Sequence, residues 1–349
     1  MIIIIGGGLS GLLTGYRLKL ANIPFKILEA RDRTGGRIKT IDSYHSTPVE
    51  MGATWFGDQH ISLKGLLHEL GVQYFEQHMK GTSFFQPSSA APASAIPMPY
   101  QPPSYRIVGG TSALIQVLTD RIGTQNILLN QKVRQIEFSD KSVVVQGEQS
   151  FFASQIVLAL PPKLWANTVD FNPVLPSELQ DIAANTHTWM EESIKTAVTY
   201  KVPFWRMNQQ SGALFSQAGP FIELYDQCDS ETSRYALCGF IEGGYGKLEA
   251  RERKELVIQQ LAQVFGNQAN DFVDYHEQIW RNEDKTFAKS PTPVYPHQHN
   301  GHPIYRKTYF QDRLLISSSE TAPTFPGYME GAVVAANLTV EKIKATQSV

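Results

Sequence analysis

The chain is poor in cysteine, in net charge and in long apolar runs, and each shortage removes a class of function. Among its 349 residues only Cys228 and Cys238 are cysteines. So sparse a pair is no disulfide scaffold, and a reduced, cytoplasmic setting is expected. The 31 basic and 33 acidic residues leave a formal net charge of -2. That balance argues against electrostatic capture of nucleic acid or of an anionic membrane surface. No segment approaches the ~20 apolar residues of a membrane span. The apolar opening has no basic flank and breaks at once into glycines, so it reads as a strand and not as a targeting signal. A Gly-x-Ser-x-Gly elbow and a Cys/His nucleophile arrangement are also missing. His297, His299 and His302 lie close together in a stretch turned by Pro296 and Gly301. With no further ligand at structural spacing, no metal is expected there.

What is present begins at residue 2. Hydrophobic residues make up 42% of the chain and charged residues 18%, a composition that suits a globular protein of two domains, or of one with a large insertion. The β-branched run Ile2-Ile3-Ile4-Ile5 leads into Gly6-Gly7-Gly8-Leu9-Ser10-Gly11, which satisfies G-x-G-x-x-G at Gly6, Gly8 and Gly11. Leu9, Leu12, Leu13, Tyr16 and Leu20 then recur at helical spacing, and Phe25-Lys26-Ile27-Leu28 reads as a second strand tipped by Glu29. In such a unit the first glycine makes the tight turn, the second lets a pyrophosphate approach, and the third packs helix on strand. The free N–H groups of the helix N-terminus face the phosphates. Glu29 stands 18 residues after Gly11, placed to accept from a ribose 2′-OH and to repel a 2′-phosphate, which disfavours NADP.

Further along, residues 61 to 75 read as a helix and a short strand. The Pro/Ser/Ala-rich stretch from Gln86 to Pro103 reads as a loop or lid base. A helix follows from Thr111, a candidate N-cap. Short strands are expected near 133–138, 142–146 and 155–160, the last stopped by Pro161-Pro162. Residues 190 to 245 are strand-rich, 250 to 265 helical, and 313 to 318 a buried strand that leads into a helix over 329–344. Chain start and chain end therefore belong to one nucleotide-binding domain.

Several of these segments together resemble the flavin-containing monoamine and polyamine oxidase family. Glu29-Ala30-Arg31-Asp32-Arg33-Thr34-Gly35-Gly36-Arg37 is similar to its second-strand signature, and Glu50-Met51-Gly52-Ala53-Thr54-Trp55 to its segment beside the isoalloxazine. Val108-Gly109-Gly110-Thr111, Val133 and the corner Ala159-Leu160-Pro161-Pro162 match further positions. The run Ser193-Ile194-Lys195 through Pro203-Phe204-Trp205-Arg206 resembles a highly family-specific strand and turn. Glu320-Thr321 and Gly327-Tyr328-Met329-Glu330-Gly331-Ala332 resemble its closing signature. The resemblance spans residues 2 to 343.

It implies an α/β fold, a Rossmann-like FAD-binding domain (1–75, 106–165 and 291–349) with an inserted α+β substrate domain (166–290) that contains a mixed or antiparallel sheet. Residues 76–105 would be a shortened substrate-side loop, because the family's long helical insertion is missing here. Cofactor contacts are implied for Gly6, Gly8, Leu9, Ser10, Gly11, Glu29, Ala30, Arg31, Gly35, Gly36, Arg37, Gly52, Ala53, Thr54 and Trp55. The same holds for Val133, Ala159, Pro161, Trp280, Glu320, Gly327, Tyr328, Met329 and Ala332. Lys195 falls where the family's lysine holds a water at the flavin N5, and Trp280 and Tyr328 where aromatic rings line the site. FAD would be non-covalent, since Lys289 and Ser290 stand where membrane-bound relatives carry the attaching cysteine and its aromatic neighbour. Of their two-ring amine cage only Tyr328 remains, with Tyr295 and Tyr305 as candidates for the second ring.

The implied activity is oxidation of an amine to an imine, with O2 as acceptor and H2O2 as product. The shortened insertion implies an open cleft, a roof lent by a second copy, or a bulky substrate. Other readings on the same architecture are a desaturase or porphyrinogen-type oxidase, an NAD(P)H-oxidising flavoenzyme, and a non-catalytic FAD-holding subunit.

Overall fold

The computed structural model describes the whole chain except residues 44–45, 90, 98–100, 140–141, 232, 291–292 and 348–349. The β-branched opening forms the centre of a parallel sheet. Its five strands run in the order Ile127–Leu128, Phe25–Leu28, Ile2–Ile5, Gln155–Leu158, Leu314–Ile316. Strand alternation sends Ile2 and Ile4 to one side and Ile3 and Ile5 to the other, and both sides are buried. On the first side lie the helices Leu9–Leu20, Ile61–Leu70, Ser112–Ile122 and Met329–Gln347. On the second lie a four-stranded sheet and the helices Pro162–Thr168 and Ser177–Ala184. A parallel sheet covered on both faces explains why these strands are apolar throughout rather than alternating.

The second large sheet has seven strands, in the order Phe272–Ile279, Ile194–Tyr200, Tyr235–Ile241, Phe221–Asp226, Gln210–Ser216, Thr82–Gln86, Ser94–Ile96. It is mixed, with the pair Gln210–Ser216 and Thr82–Gln86 parallel and the others antiparallel. The helix Ala250–Phe265 covers one face through Val257, Leu261 and Phe265 against Ile194, Val198 and Tyr200. The opposite face of Ile194–Tyr200 carries Lys195 and Ala197, and Ala197 packs with Val49 and Met51. Between residues 166 and 290 the first strand of this sheet is Ile194–Tyr200, and Thr82–Gln86 and Ser94–Ile96 join it from earlier in the chain. Strand Asp170–Asn172 pairs instead with Gln135–Phe138, in the four-stranded sheet.

Three local expectations change. The Gln86–Pro103 stretch is not all loop: Ser94–Ile96 pairs with Thr82–Gln86 as an edge strand, confined between Pro92 and Pro97. Residues 90 and 98–100 of that stretch lie outside the described residues. Thr111 does precede the helix Ser112–Ile122, but its own backbone is already helical and its side chain caps nothing. Its N–H is taken by the buried Glu50 carboxylate at 2.5 Å. The strand before Pro161 stops at Leu158, and Pro162 opens a helix, where a missing N–H costs nothing.

Candidate active site

The glycine loop makes an open cradle. Gly6 has φ +110°, and a Cβ there would meet the Ala159 carbonyl at 2.6 Å, while one at Gly11 would lie 2.0 Å from the Gly6 carbonyl. Strand, loop and helix thus touch through bare backbone. At Gly8 a Cβ would meet nothing within 4 Å; this glycine faces open space. Gly8 is also the N-cap residue of Leu9–Leu20, and no side chain satisfies that helix's first N–H groups. The groove in front of it is lined by Gly6, Gly8, Leu9, Ser10, Glu29, Arg31, Gly35, Gly36, Arg37, Ala53, Ala159, Pro161, Ser319, Gly327, Tyr328, Met329 and Ala332, among others. Ser10 turns its hydroxyl inward to donate to the Ser317 carbonyl at 2.9 Å. Glu29 is buried and accepts from Gly7 N at 2.7 Å and from Arg31 N at 2.9 Å, which fixes the carboxylate while leaving it acceptor capacity. Ala30 and Val133 line an adjoining pocket that shares Glu29 and Arg31 with the groove.

At its far end the groove opens into a cavity of about 270 Å³. Arg37, Ala53, Thr286, Gly327, Tyr328 and Met329 border both. Gly52, Thr54, Trp55, Lys195 and Trp280 line only the cavity. Lys195 is buried, donating to Thr54 Oγ1 at 2.8 Å and to the Gly52 carbonyl at 3.2 Å. Its ammonium sits 4.1 Å from the Trp55 ring centroid and 4.4 Å from that of Phe240. Burial pulls the Lys195 amine below its ordinary pKa. Trp280 is fixed by a hydrogen bond to the Met51 carbonyl at 2.8 Å.

Glu320 does not face the groove. It is fully buried behind Arg37, with Arg37 Nη1 at 2.6 Å from its carboxylate. Burial would raise its pKa, but the Arg37 charge and hydrogen bond hold it below the ordinary carboxylate range. Together these two residues also grip the Trp189 peptide: Glu320 accepts from its N–H and Arg37 donates to its carbonyl. Neither Tyr295 nor Tyr305 completes a cage. Tyr295 is 73% exposed, and Tyr305 is buried in the nucleotide-side core with its hydroxyl on Thr186.

The ring beside Tyr328 is Trp189, with centroids 5.0 Å apart and planes at 34°. No sequence pattern singled it out. Its only local sign is the crowding of Trp189, Met190 and Glu191 just before the Lys195 strand. His60 and Phe240 also line the cavity unforeseen. None of the described residues of 76–105 lines it, and Trp189, Met190, Glu191 and Ser193 form part of its wall.

The three loop histidines do not converge. His297 lies tilted against Trp189 with ring centroids 4.4 Å apart, whereas His299 and His302 meet edge to face at 6.0 Å. Among the described residues His187, Glu191 and Glu192 could come within reach of one ion. Each has other work: Glu191 pairs with Lys163 at 2.5 Å, and His187 Nε2 meets Glu192 at 3.2 Å. His187 Nδ1 accepts from His297 N at 3.3 Å, so its ring proton belongs on Nε2, the wrong tautomer for a ligand there.

Compared with known proteins, residues 9–99 and 74–344 match the family described as flavin containing amine oxidoreductase. The chain belongs to this family. Among relatives, "Probable flavin-containing monoamine oxidase A" of Dictyostelium discoideum is 23% identical, with 95% of this chain and 94% of that protein covered. The alignment runs over 442 positions, more than the chain's 349 residues, so that relative carries segments this chain lacks. Among solved structures, putrescine oxidase bound to putrescine superposes with a TM-score of 0.85 at 21% identity, covering 99% of this chain and 98% of that one. Cyclohexylamine oxidase from Brevibacterium oxydans IH-35A also gives 0.85, at 19% identity, over 100% and 99%. As a member of the flavin amine oxidoreductases the chain is a flavin-dependent oxidoreductase. The structure fits such a cofactor in the open space at Gly8, the uncapped helix N-terminus and the groove that continues into an aromatic cavity. Among the described residues no helix is long and apolar enough to cross a membrane.

Proposed function

We propose that the protein binds FAD non-covalently and oxidises the C–N bond of an apolar primary or secondary amine, with O2 as final acceptor. The observation that carries this reading is the unbroken passage from the glycine groove into an aromatic cavity walled by Lys195 and Tyr328. Bound flavin supplies the two-electron acceptor for a hydride from the amine α-carbon. Glu29 would hold the ribose, the N–H groups after Gly8 the pyrophosphate, and the helix beginning at Met329 the flavin end. Both cysteines are buried and neither borders groove or cavity, which supports non-covalent attachment.

The substrate amine must give up its proton before it can lose hydride. The low-polarity wall of Trp189, Tyr328, Trp55 and Phe240 favours the neutral amine by withholding water from the charged form. Lys195, clamped by Thr54 and Gly52, presents a fixed donor for the reoxidation half-reaction with O2. The imine leaves to be hydrolysed, and the two electrons and two protons leave as H2O2.

The test is anaerobic bleaching of the bound flavin by a panel of arylalkylamines, aliphatic diamines and NAD(P)H. Rapid bleaching by an amine that is lost in Tyr328→Ala supports the reading. Bleaching by NAD(P)H alone moves the protein to the nicotinamide-oxidising class, and bleaching by nothing points to another substrate class or a non-catalytic role.

A further inference from the structure

His60 stands just before the helix Ile61–Leu70 and borders the cavity. It is only 5% exposed, ringed by Phe325 at 4.8 Å and Tyr328 at 5.8 Å between centroids. Its Nδ1 accepts from Gly57 N at 3.3 Å. That bond fixes the neutral tautomer, with the proton on Nε2. Among the described residues Nε2 has no hydrogen-bond partner. A histidine arranged this way cannot act as a base, because its one free nitrogen already carries hydrogen. It can only donate. A donor without a partner in an apolar cavity is a strong chemical selector, since it discriminates against any ligand that leaves it unpaired.

We infer that His60 is a specificity-determining residue whose Nε2–H donates to an oxygen acceptor on the substrate, an ether, hydroxyl or carbonyl oxygen carried by the amine. The inference rests on the amine reading above and narrows its substrate class from plain hydrocarbon amines to oxygen-bearing ones. Burial keeps the imidazole neutral by pulling its pKa down, against a smaller opposing pull from the charge of Glu330. His60 therefore selects an acceptor, and an anionic partner is not required.

The test uses ligands that bind without turnover. Two amines have an α-carbon bearing two methyl groups and no hydrogen, one with a phenoxymethyl and one with a phenethyl substituent. Ether oxygen replaces methylene with little change of shape. A third ligand is the nitrogen-free phenyl ethyl ether. Dissociation constants come from quenching of tryptophan fluorescence in the holoenzyme, with the flavin spectrum recorded alongside. The ether amine should bind about fivefold more tightly than its hydrocarbon twin, the ratio one net hydrogen bond gives.

His60→Asn should keep the Gly57 contact, fold normally and lose that preference. His60→Gln, which reaches the Nε2 position, should restore part of it. Equal binding of the two amines to the native protein, or a preference surviving in His60→Asn, overturns the inference. So does a shifted flavin spectrum or FAD loss in His60→Asn with the preference unchanged, which would assign the donor to the cofactor. If neither amine binds but phenyl ethyl ether does, in a His60-dependent way, the amine reading fails and the role of His60 stands.

Discussion

At the residue scale the cavity is decided by a few side chains whose neighbours fix them. Tyr328 is 37% exposed, held at a tilt beside the Trp189 ring and so presented to a ligand rather than packed away. Truncating it to alanine removes one wall. Tyr328→Ala should lower kcat/KM at least tenfold, the factor given by about 1.4 kcal/mol of lost aromatic contact, while the flavin content of the purified protein stays unchanged. Lys195 is fixed differently, by two hydrogen bonds and two ring faces. Lys195→Met keeps the burial and deletes the donor. Stopped-flow measurement should find flavin reduction by substrate within a few fold of native and reoxidation by O2 slowed by about 100-fold, as for loss of one preorganised donor. Equal slowing of both half-reactions would assign Lys195 to hydride transfer instead.

At the element scale, the two helices that meet beside the cavity are tied by one carboxylate. Glu330, in the first turn of Met329–Gln347, accepts from Ser62 N at 3.0 Å and Leu63 N at 2.7 Å. It thus caps Ile61–Leu70 from another part of the chain, where that helix has no side-chain cap of its own. Removing a cap costs about 1–2 kcal/mol. Glu330→Ala should therefore lower the melting temperature by ~2 °C, and because His60 precedes the same helix it should also weaken binding of oxygen-bearing amines. An unchanged melting temperature would show that solvent replaces the cap. Gly327, beside this junction, would place a Cβ 2.6 Å from that of Trp189; the aromatic pair can form only over a glycine.

At the scale of the whole molecule, the Arg37–Glu320 pair couples the halves. It joins two nucleotide-side segments and grips the Trp189 peptide that walls the substrate cavity. Because the Glu320 pKa is depressed in the folded protein, its contribution to stability is complete above the ordinary glutamate range. It is lost as pH falls from that range through the lower folded value. Denaturant melts at descending pH should fall steeply there, and Glu320→Gln should flatten the fall. At neutral pH that variant should be less stable by about 3 kcal/mol, since it leaves Arg37 without its counter-charge. A native-like acid limb in Glu320→Gln would remove Glu320 from this role.

What the sequence determined by itself was mostly local. The isoleucine run, the three glycines and Glu29 specify strand, turn, helix and acid within a short span, because each is dictated by backbone sterics and period. Lys195 and Tyr328 were legible through family resemblance. Trp189, His60 and Phe240 were not, since each reaches the cavity from a separate element and carries no spacing relative to the others. Tyr295 and Tyr305 looked equally suitable in sequence, yet packing turns one to solvent and buries the other in a different core. Whether residues 76–105 formed a lid could not be read either, because an edge strand is defined by the neighbour it pairs with. Sequence determined how the nucleotide cradle is built, since that is short-range backbone geometry. Tertiary structure alone decided which aromatic rings meet in the cavity and that His60 borders it, since long-range packing has no periodic signature along the chain.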